Sequence, residues 1–318
     1  MQATLGNLED AAAQVYKVMA PTMQHCWPLL SERCGCEVWV KHENHTPIGA
    51  FKVRGGIVYM NGHANGPDAA GVISATRGNH GQSIGMAARA TGVAATIVVP
   101  EGNSTEKNAA MKALGVELII HGSDFDAARD HAMALGAERG LTPIPAFHPL
   151  LVRGVATYSL EFLRAVEGLD TVYVPIGQGS GICGMIAARD ALGLSVNIVG
   201  VVSERAAAYA LSFEAGRSIS TNSADTFADG VACRTPDADA LDIICKGAER
   251  IVTVSEEEIR DAMRAYYTDT HNLAEGAGAV PLAALMQERS AMAGKRVGLV
   301  LSGGNIDMPV YRDILSGV

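Results

Sequence analysis

The chain has 318 residues, of which 48% are hydrophobic and 19% charged, with 35 glycines. That length suits one large domain or two smaller ones around a cleft, with a substantial core. The formal net charge of −9 (25 basic, 34 acidic side chains) and the lack of any Lys/Arg run argue against nucleic acid as a partner, and no apolar run is long enough to span a bilayer.

The opening MQATLGNLEDAAAQVYKVM lacks the basic-then-apolar order of a secretory leader. It reads as a helix start with Asn7 as N-cap, and a cytoplasmic location is the resulting expectation. The cysteines are Cys26, Cys34, Cys36, Cys183, Cys233 and Cys245. They lack zinc-site spacing, and a chain of this size needs no disulfide staples, so reduced structural thiols are expected.

From there short apolar runs alternate with longer amphipathic ones. A strand over 37–41 leads into KHENHTPIGAFKVRGG (41–56), whose turn residues precede Phe51-Lys52. Lys52 would begin a helix, where the dipole gives it nothing; buried beside an aromatic ring, its amine would be pushed toward the neutral, nucleophilic form. A solvated surface lysine is the alternative.

A strand over 71–74 runs into Thr76-Arg77-Gly78-Asn79-His80 and a helix over 80–90. Here Gly78 lets the backbone turn, Asn79 is expected to cap the helix, and the following free N–H groups can bind an anion. Strands at 95–99 and 117–120 then alternate with helices at 106–114 and 124–139, and a further helix covers 156–165.

The strand at 171–174 meets GQGSG, residues 177–181, and a helix over 182–192; successive N–H groups of such a loop make a nest for phosphate. The same segment fits the dinucleotide fingerprint G-x-G-x-x-G over 179–184, with Glu204 placed where a ribose-binding acid belongs. A nucleotide-dependent oxidoreductase is therefore an open alternative. After a strand at 197–202, residues 217–235 are polar and poorly periodic, suited to a loop or surface excursion. Helices at 256–267 and 279–287 and strands at 251–254 and 296–301 complete the chain. The alternation implies a doubly wound α/β fold with mainly parallel sheets and ligands at the carboxyl ends of strands.

Together the segments resemble the fold-type II (tryptophan synthase β-like) pyridoxal-phosphate enzymes, and within them the serine/threonine dehydratases and serine racemases. GAFKVRGG is similar to the family's lysine motif and TRGNHGQS to its substrate loop; GQGSG is similar to its phosphate loop and LSGGNID to its C-terminal motif. AEGAGA (274–279) also has a counterpart, and the resemblance spans about 22–307.

The resemblance implies two doubly wound open-sheet domains, a large one of 1–69 plus 149–318 and a small one of 70–148. It implies a Schiff base between Lys52 and pyridoxal phosphate, with Phe51 packed on the ring and Asn79 at its phenolic oxygen. Gly177, Gln178, Gly179, Ser180 and Gly181 would hold the phosphate, Glu275 would lie near the ring edge, and Ser302 at the pyridine nitrogen would make a weaker electron sink than a carboxylate. Backbone around Thr76, Arg77, Gly78, Asn79 and His80 would bind the substrate carboxylate. Lys52 would remove the α-proton and the β-hydroxyl would leave, giving a 2-oxo acid and ammonia. The implied enzyme is a lyase, a dehydratase of 3-hydroxy amino acids, by analogy a homodimer or homotetramer. A racemase of the same fold and a non-catalytic binding protein are the other readings.

This chain departs from the family at several points. Arg77 stands where racemases carry a serine acid/base; a guanidinium stays protonated, which argues for elimination, and it could also reach a substrate side chain or carboxylate, the alternative being an arginine turned to solvent or to a structural acid. L-Threonine and L-serine are the default substrates, with 3-hydroxyaspartate, phenylserine or a hydroxyectoine catabolite as unusual ones. Val202, Ala206 and Ala208 fall at racemase cation-ligand positions, so no metal is expected there. Val155 replaces a glutamine, and His148 is either a structural residue or a substrate contact. The chain ends soon after LSGGNID, so no C-terminal regulatory domain and a catabolic role are expected.

Overall fold

The computed structural model describes residues 4–63 and 70–317. Helix α1 (Leu5–Val15) leads to β1 (Gln24–Cys26), α2 (Pro28–Cys34) and β2 (Glu37–His42), and a turn opens α3 (Lys52–His63). Strand and helix then alternate through β3 (Val72–Ala75), α4 (Asn79–Thr91), β4 (Ala95–Val99), α5 (Thr105–Ala113), β5 (Glu117–Ile120), α6 (Phe125–Arg139) and β6 (Thr142–Pro143). Helix α7 (Pro149–Ala165) is followed by β7 (Thr171–Pro175), α8 (Ser180–Ala191), β8 (Asn197–Ser203), α9 (Ala208–Ala215) and α10 (Ala238–Gly247). The chain closes with β9 (Arg250–Val254), α11 (Glu256–Thr270), α12 (Gly276–Gln287), β10 (Arg296–Leu301) and α13 (Met308–Ser316).

The strands form two open sheets, a six-stranded one in the order β1-β2-β10-β7-β8-β9 and a four-stranded one in the order β5-β4-β3-β6. Every pairing is parallel except β1 with β2. The two-residue side-chain period explains why these strands are apolar throughout. Tyr173, Val199, Val201 and Leu299 face a core closed by α11 and α12. Their neighbours Val172, Val174, Ile198 and Val300 face a second core under α7 and α8. In the smaller sheet Val72, Ile97 and Val99 pack under α4, and Ile73 and Val98 under α6. The strands of this sheet all lie between 72 and 143; the expected boundary at 69/70 falls at residues 64–69, outside the described ones.

Some local signals resolve differently. Thr4, not Asn7, caps α1: its side chain accepts from the Asn7 N–H, and Asn7 is helical. β1 and β6 are too short to carry a pattern and exist only as sheet-edge pairings.

A buried charge network fixes the helix that begins at Lys52. Arg54 donates from Nε to Glu43 (2.7 Å) and from both terminal nitrogens to Glu161 (2.6 and 3.0 Å), and Lys41 Nζ donates to Glu161 (2.5 Å). The side chains of Arg54, Glu43 and Lys41 are fully buried and that of Glu161 is 7% exposed. The two glycines after Arg54 let α3 lie tightly between neighbours. A Cβ on Gly55 would come within 3.0 Å of the Leu151 carbonyl of α7, and one on Gly56 within 2.3 Å of Ser83 Oγ of α4.

Candidate active site

The carboxyl ends of the parallel strands of both sheets open onto one cavity of ≈ 510 Å³. Lys52 and Phe51 come from the α3 entry, Thr76 to His80 from the β3–α4 loop, and Gly177 to Gly181 from the β7–α8 loop. Glu275 and Ser302 enter from the ends of the α11–α12 and β10 segments. The residues expected to bind cofactor and substrate carboxylate therefore line one space, whereas His148, Val155 and Glu204 do not.

Lys52 is the first residue of α3 and only partly buried, yet its amine is enclosed. Its Nζ donates to Ser180 Oγ (3.0 Å) and lies 5.0 Å from the Phe51 ring centroid. Burial brings its pKa down to about 8, so roughly a tenth of the amine is already neutral at pH 7, far more than for an exposed lysine. Phe51 is held by its own N–H, which donates to the Ser302 carbonyl (2.9 Å).

Gly78, not Asn79, stands at the N-cap of α4, with φ 150, a conformation that side chains avoid. Thr76 Oγ1 accepts from the Gly78 N–H (3.0 Å) and takes over the turn-closing role. This frees the Asn79 side chain, which donates to Glu275 Oε1 (2.6 Å) and accepts from Asn305 Nδ2 (2.8 Å). Tertiary partners for Asn79 thus outcompete the local cap.

The 177–181 loop fits a phosphate group on the structure's own terms. A Cβ on Gly177 would sit 2.2 Å from the Gly230 carbonyl, so the backbone is pressed close. Gly179 caps α8 with no side-chain bond, leaving first-turn N–H groups of α8 for an anion. Gln178 and Ser180 also line the cavity, and the Gln178 carbonyl accepts from Tyr209 OH (3.1 Å). A buried neutral-prone amine, an aromatic face and an anion nest around one space match the donor set that pyridoxal phosphate requires.

Other positions resolve as follows. Arg77 lines the cavity, is exposed, and makes no hydrogen bond or ion pair among the described residues. His148 caps α7: its Nδ1 accepts from the Leu150 N–H (3.1 Å), and its ring meets Tyr59 edge-on at 5.0 Å. Val155 is buried against Gly55. Val202, Ala206 and Ala208 are buried and apolar, and Glu204 is exposed just after β8.

The sequence did not single out Lys107, which reaches across from α5. It binds Asp229 (2.6 Å) and Glu275 (3.3 Å) and presses on Gly78, where a Cβ would lie 2.3 Å from its Cδ. Burial pushes the Glu275 carboxyl up, and Lys107 opposes that rise. Residues 217–235 are also more than a surface excursion: Asp229, Arg234 and the 222–226 stretch wall the cavity, and Val231 and Cys233 are buried. Their only sequence signal was polarity, which does not distinguish a cavity wall from a solvated loop.

The comparisons define the class that this fold and site imply. A family profile described as "Pyridoxal-phosphate dependent enzyme" matches residues 18–303, and the chain belongs to that family. It is 32% identical over 314 residues to an L-threonine ammonia-lyase of Thermotoga maritima, covering 98% of this chain and 78% of that protein. It is 30% identical to an L-threo-3-hydroxyaspartate ammonia-lyase of Saccharomyces cerevisiae, covering 99% and 97%. Among solved structures, maize serine racemase superposes with TM-score 0.92 at 25% identity, over 100% of this chain and 98% of that one. Family membership sets aside the nucleotide-dependent reading of 179–184: the GSGICG spacing satisfies both patterns, since each places a phosphate at a helix N-terminus.

Proposed function

We propose that the chain is a pyridoxal-phosphate-dependent ammonia-lyase that dehydrates a 3-hydroxy amino acid to a 2-oxo acid and ammonia. The observation that carries this is the enclosed Lys52 amine facing the 177–181 anion nest. Lys52, Phe51, Asn79, Glu275 and Ser302 would hold the cofactor ring, and Gly177, Gln178, Gly179, Ser180 and Gly181 its phosphate. When bound, the cofactor supplies the electron withdrawal that acidifies the substrate's α C–H. Lys52 would take that proton. Backbone at Thr76, Arg77, Gly78, Asn79 and His80 would hold the carboxylate, and the Lys107 bridge would keep Glu275 and the substrate loop in register.

L-Threonine and L-serine are the default substrates. The unpaired guanidinium of Arg77 at the cavity wall favours extending the range to a substrate with a second carboxylate, such as 3-hydroxyaspartate. A guanidinium is a poor proton acceptor, which argues against two-face proton transfer and so against racemisation. Residues 70–148 would act as a small domain closing on the remainder. The six free cysteines fit a reducing, cytoplasmic setting, and a homodimer or homotetramer is the expected assembly. No helix among the described residues is long and apolar enough to cross a membrane.

The test has two parts. The purified protein should be yellow, and borohydride should trap one adduct that mass spectrometry places on Lys52. Ammonia release should then be measured across threonine, serine and both forms of 3-hydroxyaspartate. A colourless protein that takes up no cofactor, or a Lys52→Ala variant with wild-type colour and turnover, removes the proposal.

A further inference from the structure

Glu256 is a buried carboxylate that no part of the proposed reaction yet uses. It is the first residue of α11, is 8% exposed, and forms no ion pair among the described residues. Capping α11 does not need it. Ser255 Oγ accepts from the Glu258 N–H (3.2 Å) and Glu258 accepts from the Ser255 N–H (2.7 Å), a reciprocal cap that leaves the Glu256 side chain free.

The Glu256 carboxylate accepts instead from two other segments. Oε1 accepts from the hydroxyls of Ser203, at the end of β8, and of Thr226, at 2.7 Å each. Oε2 accepts from the Phe227 N–H (3.1 Å). The two hydroxyl oxygens each have a backbone donor of their own, the Arg205 N–H for Ser203 and the Ala228 N–H for Thr226, at 3.1 Å each. Every donor thus converges on a group that offers only acceptors, and an amide in its place would bring a donor to one of them.

What Glu256 grips is a wall of the cavity with little regular structure of its own. Between α9 and α10 the described residues form one short helical turn, Asp229–Val231, and no side chain caps it. Thr226 and Phe227 lie immediately before that turn, and the Phe227 carbonyl accepts from the Asp229 N–H (2.9 Å). Arg260, one turn along α11 from Glu256, lies 4.8 Å from the Phe227 ring centroid. The turn in its place meets the site at three points. Asp229 binds Lys107 (2.6 Å), which also binds Glu275 (3.3 Å). The Gly230 carbonyl is the group that presses on Gly177. Ala228 packs on the start of α12, where a Cβ on Gly276 would lie 2.8 Å from its own Cβ.

We propose that Glu256 is a positioning residue of the active site. By holding Thr226 and Phe227 it sets the 228–231 turn, so that Asp229 meets Lys107 and the Gly230 carbonyl backs the 177–181 loop. Glu256 moves no proton in this role and acts only through the wall. The inference rests on the 177–181 loop being the phosphate site.

Two measurements test it. Hydrogen exchange of the protein as purified, read over residues 226–232, reports the grip directly. Glu256→Gln should raise exchange there about tenfold and leave the strands of the larger sheet unchanged. Thr226→Val removes one donor at nearly constant shape and should do the same even if the glutamine variant folds poorly. Titration of cofactor-stripped protein with pyridoxal phosphate gives the second reading. Glu256→Gln and Asp229→Asn should each weaken binding about tenfold, and the double variant should be within about twofold of the weaker single one, because one residue acts through the other. A double variant about a hundredfold weaker than wild type shows independent structural effects and overturns the proposal. Unchanged exchange over 226–232 in both Glu256→Gln and Thr226→Val overturns it as well. A wild type that takes up no cofactor, while the variants still show faster exchange, removes the cofactor reading and leaves the grip of Glu256 on the wall standing, so the two failures are distinguishable.

Discussion

Replacing Glu161 by glutamine tests how the fold holds the start of α3. Glu161 accepts from Arg54 (2.6 and 3.0 Å), Lys41 (2.5 Å), Tyr16 OH (3.0 Å) and the Thr22 N–H (3.3 Å). The variant leaves two fully buried cations, Lys41 and Arg54, against the single carboxylate of Glu43. Breaking a buried pair in this way costs about 3–5 kcal/mol. For a chain of this length that is a fall in Tm of roughly 5–7 °C. The pH dependence has a definite sign. Burial alone would raise the Glu161 carboxyl, but Arg54 and Lys41 hold it below its ordinary value of 4.5. A depressed carboxylate contributes stability that is present above the unfolded value and lost as pH falls through the folded one. Urea unfolding of wild type and Glu161→Gln should therefore differ most at pH 7.5 and converge in acid below the ordinary value. A Tm gap under about 2 °C at pH 7.5, or a gap that persists unchanged in strong acid, refutes the charge-pairing argument.

Three further outcomes are expected. Gly78→Ala forces a side chain into a φ of 150 and within 2.3 Å of Lys107 Cδ, so kcat/KM should fall about 100-fold with Tm much less affected; kinetics and thermal scans check it. Arg77→Ala should lower kcat/KM for 3-hydroxyaspartate at least about tenfold more than for serine, and a uniform effect across substrates would contradict a carboxylate contact. Asp307 accepts from the Thr105 and Glu106 N–H groups (3.1 and 3.3 Å) and from Ser104 Oγ, while Glu106 accepts from the Met308 N–H (2.8 Å). Each of α5 and α13 thus caps the other, and Asp307→Ala should cost about 1–2 kcal/mol and raise hydrogen exchange at the start of α5.

Much of this arrangement is written locally. A run such as TVYVP or RVGLVL must be a strand covered on both faces, because its two-residue period leaves no polar side to expose. Glycine-rich turns between strand and helix mark where backbone N–H groups gather, so the 76–80 and 177–181 loops are legible as ligand loops from the sequence alone. Resemblance to the pyridoxal-phosphate enzymes supplied what spacing could not, the choice between a cofactor phosphate and a dinucleotide at the same loop.

Other features depend on partners distant in sequence. Asn79 looks like a helix cap and acts instead through Glu275 and Asn305, about 200 residues away. Lys107, on a helix whose sequence reads as ordinary amphipathic surface, is drawn into the cavity by Asp229 and Glu275 from the other sheet's side of the molecule. Backbone propensity and side-chain period act over a few residues and can be read along the chain. Buried charge pairing and hydrogen-bond satisfaction act through space, and only the folded chain decides which groups meet.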